Sequence, residues 1–215
     1  MKIEIWSDVM CPFCYIGKRK FENALAKFEN KSSVTIEWKS FQLNPHMKTE
    51  PDKNISQYLA EIKGWSLEQA KEMNQNVSEM AKKVGLHYDL NKAVVANSFD
   101  AHRIVQLAKT KGKGDAMEER LFKGYFTEGL NIADHQSLVK IGMEIGLDAT
   151  EISEVLKTTT FADEVNNDVA EAQQLGIRGV PIFVIDRKYG VSGAQESEIF
   201  LNALNKAWEE SAVKN

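Results

Sequence analysis

The hydrophobic pattern at the start of the chain changes period twice, in the order strand, helix, strand. Residues 2–6 (KIEIW) alternate and are rich in β-branched side chains, as expected for a short strand. Phe21, Leu25 and Phe28 then share one face of a helix. Residues 34–41 (VTIEWKSF) alternate again. This order predicts a βαβ unit with two parallel strands and a right-handed crossover.

A helical period follows from about residue 50 to residue 158. Ser66 and Gln69 form a capping-box pattern that predicts a helix start. Apolar residues follow at helical spacing, and we expect them to form its buried face: Leu67, Ala70, Met73, Val77, Met80, Ala81 and Val84. Further helices are predicted at about 97–111, 114–128, 134–145 and 150–158.

The last part of the chain returns to a mixed pattern. The spacing of Val165, Val169, Ala172 and Leu175 predicts a helix that ends at Gly176. Residues 180–194 predict a β-hairpin and residues 195–209 a final amphipathic helix. The whole order predicts an α/β protein with a thioredoxin-like fold (β-α-β … α-β-β-α) and an all-helical insertion domain after the second strand. We expect the boundaries at 1–48 for the first part of the core, 49–159 for the insertion and 160–215 for the second part of the core.

Charge and hydropathy exclude several classes of partner. The formal net charge is −4, with acidic and basic residues interspersed, so we expect no nucleic-acid partner. The longest strongly apolar run is 180–185, too short to cross a bilayer, so we expect no membrane partner. Glu4 and Asp8 interrupt what would have to be the apolar core of a secretory signal, so we expect a cytoplasmic protein. The oligomeric state stays open.

Both cysteines of the chain lie in one short stretch, SDVMCPFCYIG (7–17), between the first strand and the first helix. Thiol–disulfide exchange needs one thiolate that attacks and a second thiol that resolves the mixed disulfide. Cys11 suits the N-cap of the helix, where backbone N–H groups and the helix dipole favour its anion, and Pro12 suits the first turn. Cys14 follows one turn further into the helix, near the Cys11 sulfur, and we expect its thiol to be more shielded from solvent. This spacing predicts Cys11 as the attacking thiol and Cys14 as the resolving thiol.

Two structural interpretations compete with redox chemistry. A pair of cysteines at this spacing is half of a zinc site, but the four histidines of the chain supply no compact second pair, so we expect no metal. The other alternative is a pair of inert, buried cysteines on a helix.

Pro181, at the start of the predicted hairpin, has two interpretations. It is either an ordinary edge-strand proline or, opposite the start of the Cys11 helix, a proline with a cis Val180–Pro181 bond. The cis form would turn the backbone of Val180 outward and offer its N–H and C=O to an extended substrate. Together with Pro12 and Phe13, Val180 is therefore predicted to contact substrate.

The motifs identify a family resemblance that spans nearly the whole chain. SDVMCPFCYIG, FQLNP (41–45), NSFDAHR (97–103), GVPIFVI (179–185) and VSGAQ (191–195) resemble the DsbA family of thiol–disulfide oxidoreductases, and within it the FrnE-like branch. The resemblance implies a nucleophilic Cys11, a resolving Cys14 and a cis-proline at Pro181. It implies no cofactor. The partners that it implies are proteins or small molecules that contain thiols or disulfides, and glutathione is a candidate co-substrate. Phe13 stands where secreted members often carry a histidine that stabilises the thiolate, which argues against a strong oxidant.

Two other functions stay open. The 2-hydroxychromene-2-carboxylate isomerases and kappa-class glutathione transferases are similar in topology, but typically place serine where this chain has Cys11. A glutathione-dependent isomerase or transferase is therefore one alternative, and a non-enzymatic redox-sensing protein is another. His102 is either a proton carrier, if the insertion covers the thiols, or a structural hydrogen-bonding group. Asp8 is either a weak base for Cys14 or the cap of a turn.

Overall fold

The structure is a computed structural model that describes residues 1–212. In chain order the elements are β1 (Lys2–Ser7), α1 (Pro12–Lys27), β2 (Thr35–Ser40), β3 (Glu50–Asn54), α2 (Ile55–Lys63), α3 (Leu67–Lys82), β4 (Val94–Val95), α4 (Phe99–Thr110), α5 (Gly114–Lys123), α6 (His135–Glu144), α7 (Ala149–Lys157), α8 (Ala162–Gln174), β5 (Ile182–Ile185), β6 (Tyr189–Ser192) and α9 (Ser197–Ala212). A short 3-10 turn (Lys31–Ser33) precedes β2, and a π-helical turn (Gly124–Glu128) extends α5.

The described chain divides into two compact units, Met1–Leu43 with residues 166–212, and Asn44–Val165. In the first unit four of the described strands form one sheet in the order β2-β1-β5-β6. β1 and β2 pair in parallel, as predicted for the βαβ unit, and β5 pairs antiparallel with both β1 and β6. The predicted thioredoxin-like α/β fold is therefore confirmed.

One face of this sheet packs against α1 and α9. Ile3 and Ile5 of β1 are fully buried on this face, beside Phe183 of β5. The Phe183 ring lies 5.3 Å from that of Phe21 in α1 and 4.7 Å from that of Phe200 in α9. Each buried phenylalanine contributes about 1.5–3 kcal/mol relative to an exposed one. This aromatic cluster holds the N-terminal helix against the sheet.

The opposite face carries Trp6, which packs with Ala172 and Ile177. The indole N–H of Trp6 donates to the carbonyl of Asp168 at 3.0 Å, so the polar group of this fully buried side chain is satisfied. The C-terminal part of α8 is thus fixed on the sheet opposite α1.

The second unit contains α2 to α7, and the predicted capping box at Ser66 and Gln69 is present at the start of α3. The unit is not entirely helical, however, because β3 and β4 pair as a two-stranded antiparallel sheet. Neither strand shows an alternating pattern: β3 reads EPDKN and β4 has two residues. The expectation of an all-helical insertion is corrected to this extent.

The face of α3 that is buried is narrower than predicted. Ala70, Val77 and Ala81 are buried, whereas Met73 and Met80 are 43% and 39% exposed. At 3.6 residues per turn the two methionines lie roughly 60–80° around the helix from Ala70, at the edge of the buried face. In residues 1–212 no helix is both long enough and apolar enough to cross a membrane.

Candidate functional site

The turn between β1 and α1 places Cys11 at the N-cap of the helix. Cys11 has extended backbone angles (φ −86, ψ 110), and Pro12 begins the helix, as predicted. The backbone N–H of Cys11 donates to the carbonyl of Asp8 at 2.9 Å, which closes the turn. The Cys11 side chain does not cap the helix; its thiol instead donates to the carbonyl of Val180 at 3.5 Å. The sulfur is thus directed at the loop that precedes β5.

The two cysteines are free thiols that lie within hydrogen-bonding reach of each other. Both residues are buried, Cys11 with 4% and Cys14 with 1% of its surface exposed, so the expected difference in shielding is small. Burial raises the pKa of the Cys14 thiol well above its ordinary value, and the neighbouring Cys11 raises it further. The backbone N–H of Asp8 and the hydroxyl of Ser7 act in the opposite direction. The result is a neutral Cys14 thiol with two groups placed to favour its anion.

Asp8 connects this turn to the end of β2. Its fully buried carboxylate accepts the backbone N–H of Leu43 at 2.7 Å and that of Met10 at 3.3 Å. Of the two predicted roles for Asp8, the capping of a turn is therefore confirmed, and a role as base for Cys14 stays a prediction.

The Val180–Pro181 peptide bond is cis, as one of the two interpretations of Pro181 predicts. Pro181 is buried, and its carbonyl accepts the backbone N–H of Gly193 at 2.8 Å. Gly17 explains how closely α1 approaches this loop, because a Cβ at that position would lie 3.0 Å from Cγ of Pro181. The absence of a side chain at Gly17 thus lets the helix that carries both thiols lie against Pro181.

An apolar surface borders the thiols. Phe13, between the two cysteines, is 38% exposed, and Pro12 and Val180 are half-buried. Leu43, which Asp8 holds, is also exposed. Contact of Pro12, Phe13 and Val180 with a substrate stays a prediction.

The NSFDAHR segment serves the packing of the second unit. The side-chain amide of Asn97 donates to the carbonyl of Met47 at 2.9 Å. Arg103 pairs with Asp100 at 2.7 Å and donates to the carbonyl of Thr160 at 2.9 Å. His102 is fully buried in α4. These contacts give the segment a structural role, and proton transfer by His102 stays a prediction.

Sequence reasoning missed two residues of the site. Ser7 lies at the end of β1, fully buried and facing Cys14, but a serine at the end of a strand carries no distinctive signal. Gly17 lies within α1, where a glycine lowers helix propensity, and that local mismatch was a usable signal of a close approach.

Comparisons with known proteins agree with this arrangement. The family model described as DSBA-like thioredoxin domain matches residues 2–205. A crystal structure of a probable DsbA oxidoreductase from Streptomyces coelicolor is 40% identical in sequence, with a TM-score of 0.92 over 98% of this chain and 91% of that one. The uncharacterized protein YwbO of Bacillus subtilis is 28% identical over 208 residues, covering 94% of this chain and 95% of its own.

A more distant similarity concerns the fold alone. The cytosolic disulfide reductase DsbM from Pseudomonas aeruginosa is 16% identical, with a TM-score of 0.68 over 97% of this chain and 99% of that one. DsbM has also been solved with GSH. The finer placement of this chain in the FrnE-like branch stays a prediction.

Proposed function

This chain belongs to the family of DsbA-like thioredoxin domains, and we propose that it acts as a thiol–disulfide oxidoreductase through Cys11 and Cys14. The observation that carries the proposal is the pair of free thiols at the start of α1, with the Cys11 sulfur beside the Val180 carbonyl at 3.5 Å. A nucleophile, a resolving thiol within its reach and a backbone edge for the substrate are the groups that this chemistry requires.

The reaction proceeds in two displacements. The Cys11 thiolate attacks one sulfur of a substrate disulfide, a mixed disulfide forms, and the other substrate sulfur leaves as a thiolate that takes up a proton. The Cys14 thiolate then attacks the Cys11 sulfur, which forms the Cys11–Cys14 disulfide and releases the second substrate thiol. Two electrons pass from the protein to the substrate, and the reverse sequence oxidises a dithiol.

Residues around the thiols orient the substrate. The carbonyl and N–H of Val180 pair with an extended substrate backbone, with Pro181 fixing that loop, while Pro12 and Phe13 contact apolar side chains. The chemistry needs no metal and no further cofactor, because both electrons come from the two thiols.

We further propose a cytoplasmic location, where the compartment keeps the dithiol reduced and favours the reductase direction. The similarity in fold to a cytosolic disulfide reductase supports this choice, and its structure with GSH makes glutathione the first small thiol to test. Protein and small-molecule disulfides are the other candidate substrates.

The test is turnover by Cys14→Ser, with Cys11→Ser as the matched control. In insulin reduction, both variants should lose turnover, and only Cys14→Ser should accumulate a stable mixed disulfide, detected by mass spectrometry. A glutathione-dependent isomerase or transferase has no use for a second thiol, so a glutathione-dependent turnover that Cys14→Ser retains in full, with no insulin reduction by the wild type, would instead favour that alternative. A wild-type protein with a reversible Cys11–Cys14 disulfide but no turnover would favour a redox sensor.

A further inference from the structure

Ser7 is the last residue of β1, and the alternation of the strand directs it towards α1. Ile3, Ile5 and Ser7 share one face of the strand, and the first two are buried on the side where α1 packs. Ser7 is itself fully buried. Its hydroxyl therefore lies under the first turn of α1, where Cys14 is found.

The Ser7 hydroxyl has no conventional hydrogen-bond partner among residues 1–212 of the reduced protein. Buried polar groups are almost always paired, so an unpaired hydroxyl in a close-packed core needs an explanation. A group that completes its bonding only in a transient state of a reaction is one such explanation.

The neighbouring Cys14 would pass through such a transient state when its sulfur becomes ionised. Burial and the nearby Cys11 sulfur both oppose ionisation of Cys14, whereas the Ser7 hydroxyl and the Asp8 backbone N–H favour it. The Asp8 N–H is present whatever side chain occupies position 8. The Ser7 hydroxyl is thus a buried side-chain donor beside Cys14 that favours its anion.

We infer that Ser7 is a positioning residue that donates a hydrogen bond to the Cys14 sulfur when that sulfur carries negative charge. The inference rests on the proposed thiol–disulfide exchange. When Cys14 attacks Cys11 in the mixed disulfide, the Cys11–Cys14 bond forms, the bond from Cys11 to the substrate breaks, and the proton lost by Cys14 ends on the departing substrate sulfur. Ser7 keeps its own proton throughout. In the reverse direction the same contact stabilises Cys14 as the leaving group.

The experiment separates the two displacements with dithiobis-nitrobenzoate (DTNB). Attack by Cys11 releases one equivalent of thionitrobenzoate, and attack by Cys14 on the mixed disulfide releases the second. Ser7→Ala should leave the first phase within about twofold and slow the second by about ten- to a hundredfold, as expected for loss of a hydrogen bond to an ionised sulfur. Ser7→Thr keeps the hydroxyl and should retain the fast second phase. Ser40→Ala, opposite Ser7 in the β1–β2 register, is the matched control and should leave both phases unchanged.

Three results would overturn the inference. These are a second phase in Ser7→Ala as fast as in the wild type, equal slowing of both phases, or a large fall in melting temperature, which would show that the hydroxyl bonds elsewhere in the fold. Failure of the proposed function is distinguishable, because wild-type protein would then release a single equivalent and keep thionitrobenzoate bound to Cys11, whatever the Ser7 variants do.

Discussion

The carboxylate of Asp8 offers the sharpest test of what stabilises the turn between β1 and α1. Asp8→Asn preserves the size of the side chain but removes its charge and replaces one acceptor oxygen with an NH₂ group. On either oxygen position the NH₂ group would face a backbone N–H that now donates to the carboxylate, that of Leu43 or that of Met10. A buried donor would then face another donor, with no acceptor between them.

The expected loss of stability follows from the lengths of the two hydrogen bonds that the Asp8 carboxylate accepts from Leu43 and Met10. The bond from Leu43 is short, at 2.7 Å, and a charged acceptor makes such a bond worth about 1.5–3 kcal/mol. The bond from Met10 is long, at 3.3 Å, and contributes less than about 1 kcal/mol. The amide can keep one neutral bond, and it no longer carries the cost of burying a charge. The net loss in the free energy of unfolding should therefore be about 2 kcal/mol.

Urea unfolding of the reduced protein measures this loss. With a slope of about 2 kcal/mol per molar urea, the midpoint of Asp8→Asn should fall by about 1 M. Asp52→Asn, which changes an exposed carboxylate, is the matched control and should stay within about 0.5 kcal/mol of the wild type. A midpoint shift below about 0.2 M, together with slow release of the second equivalent of thionitrobenzoate from DTNB, would refute the structural role and support Asp8 as a base for Cys14.

Two further predictions concern the same unit. Because burial raises the pKa of Cys14 above its ordinary 9.0, the unfolded chain loses that proton first, so stability should fall as the pH rises above this value. Urea unfolding between about pH 8 and about pH 10 should show this slope in the reduced wild type and a weaker one in Cys14→Ala, and equal slopes would contradict it. Asp168→Asn should cost about 2–4 kcal/mol, since Lys39 lies 3.0 Å from Asp168 with side chains only 13% and 7% exposed. Glu37 also pairs with Lys39, at 3.3 Å, but its side chain is 29% exposed, so Glu37→Gln should cost less than about 1 kcal/mol. A similar loss of stability in both variants would contradict the larger contribution expected of Asp168.

The parts of the fold that were predictable are those whose signals are local. The alternation of residues 2–6 and the helical spacing of Phe21, Leu25 and Phe28 are properties of single elements, and each element appears in the structure. The β3–β4 pair was not predictable, because it joins residues far apart in sequence and its strands have no hydrophobic alternation. Tertiary packing also decided which residues of α3 are buried.

In the site, too, features set by neighbouring residues were predictable and contacts between distant elements were not. The place of Cys11 and Cys14 at a helix start was predictable because both lie within four consecutive residues and Pro12 sets the start of the helix. Gly17 and Ser7 act through contacts with another element, Gly17 against Pro181 and Ser7 against α1. One sequence carries no record of such contacts beyond a glycine where a helix former would be expected.

Exposure alone does not explain why the two thiols should have different roles, since 4% and 1% differ too little to decide which sulfur reacts first. Their neighbours do differ. The Cys11 thiol is directed at the Val180 carbonyl, on the loop where a substrate backbone would pair, whereas Cys14 lies within the helix and faces the Ser7 hydroxyl and the Asp8 N–H. In the proposed reaction a backbone N–H of the substrate can therefore replace the Cys11 thiol as donor to the Val180 carbonyl, whereas the groups that favour the Cys14 anion are a buried hydroxyl and a backbone N–H of the protein itself. These neighbours support the proposed order of attack, in which Cys11 reacts with the substrate and Cys14 then reacts with the sulfur of Cys11.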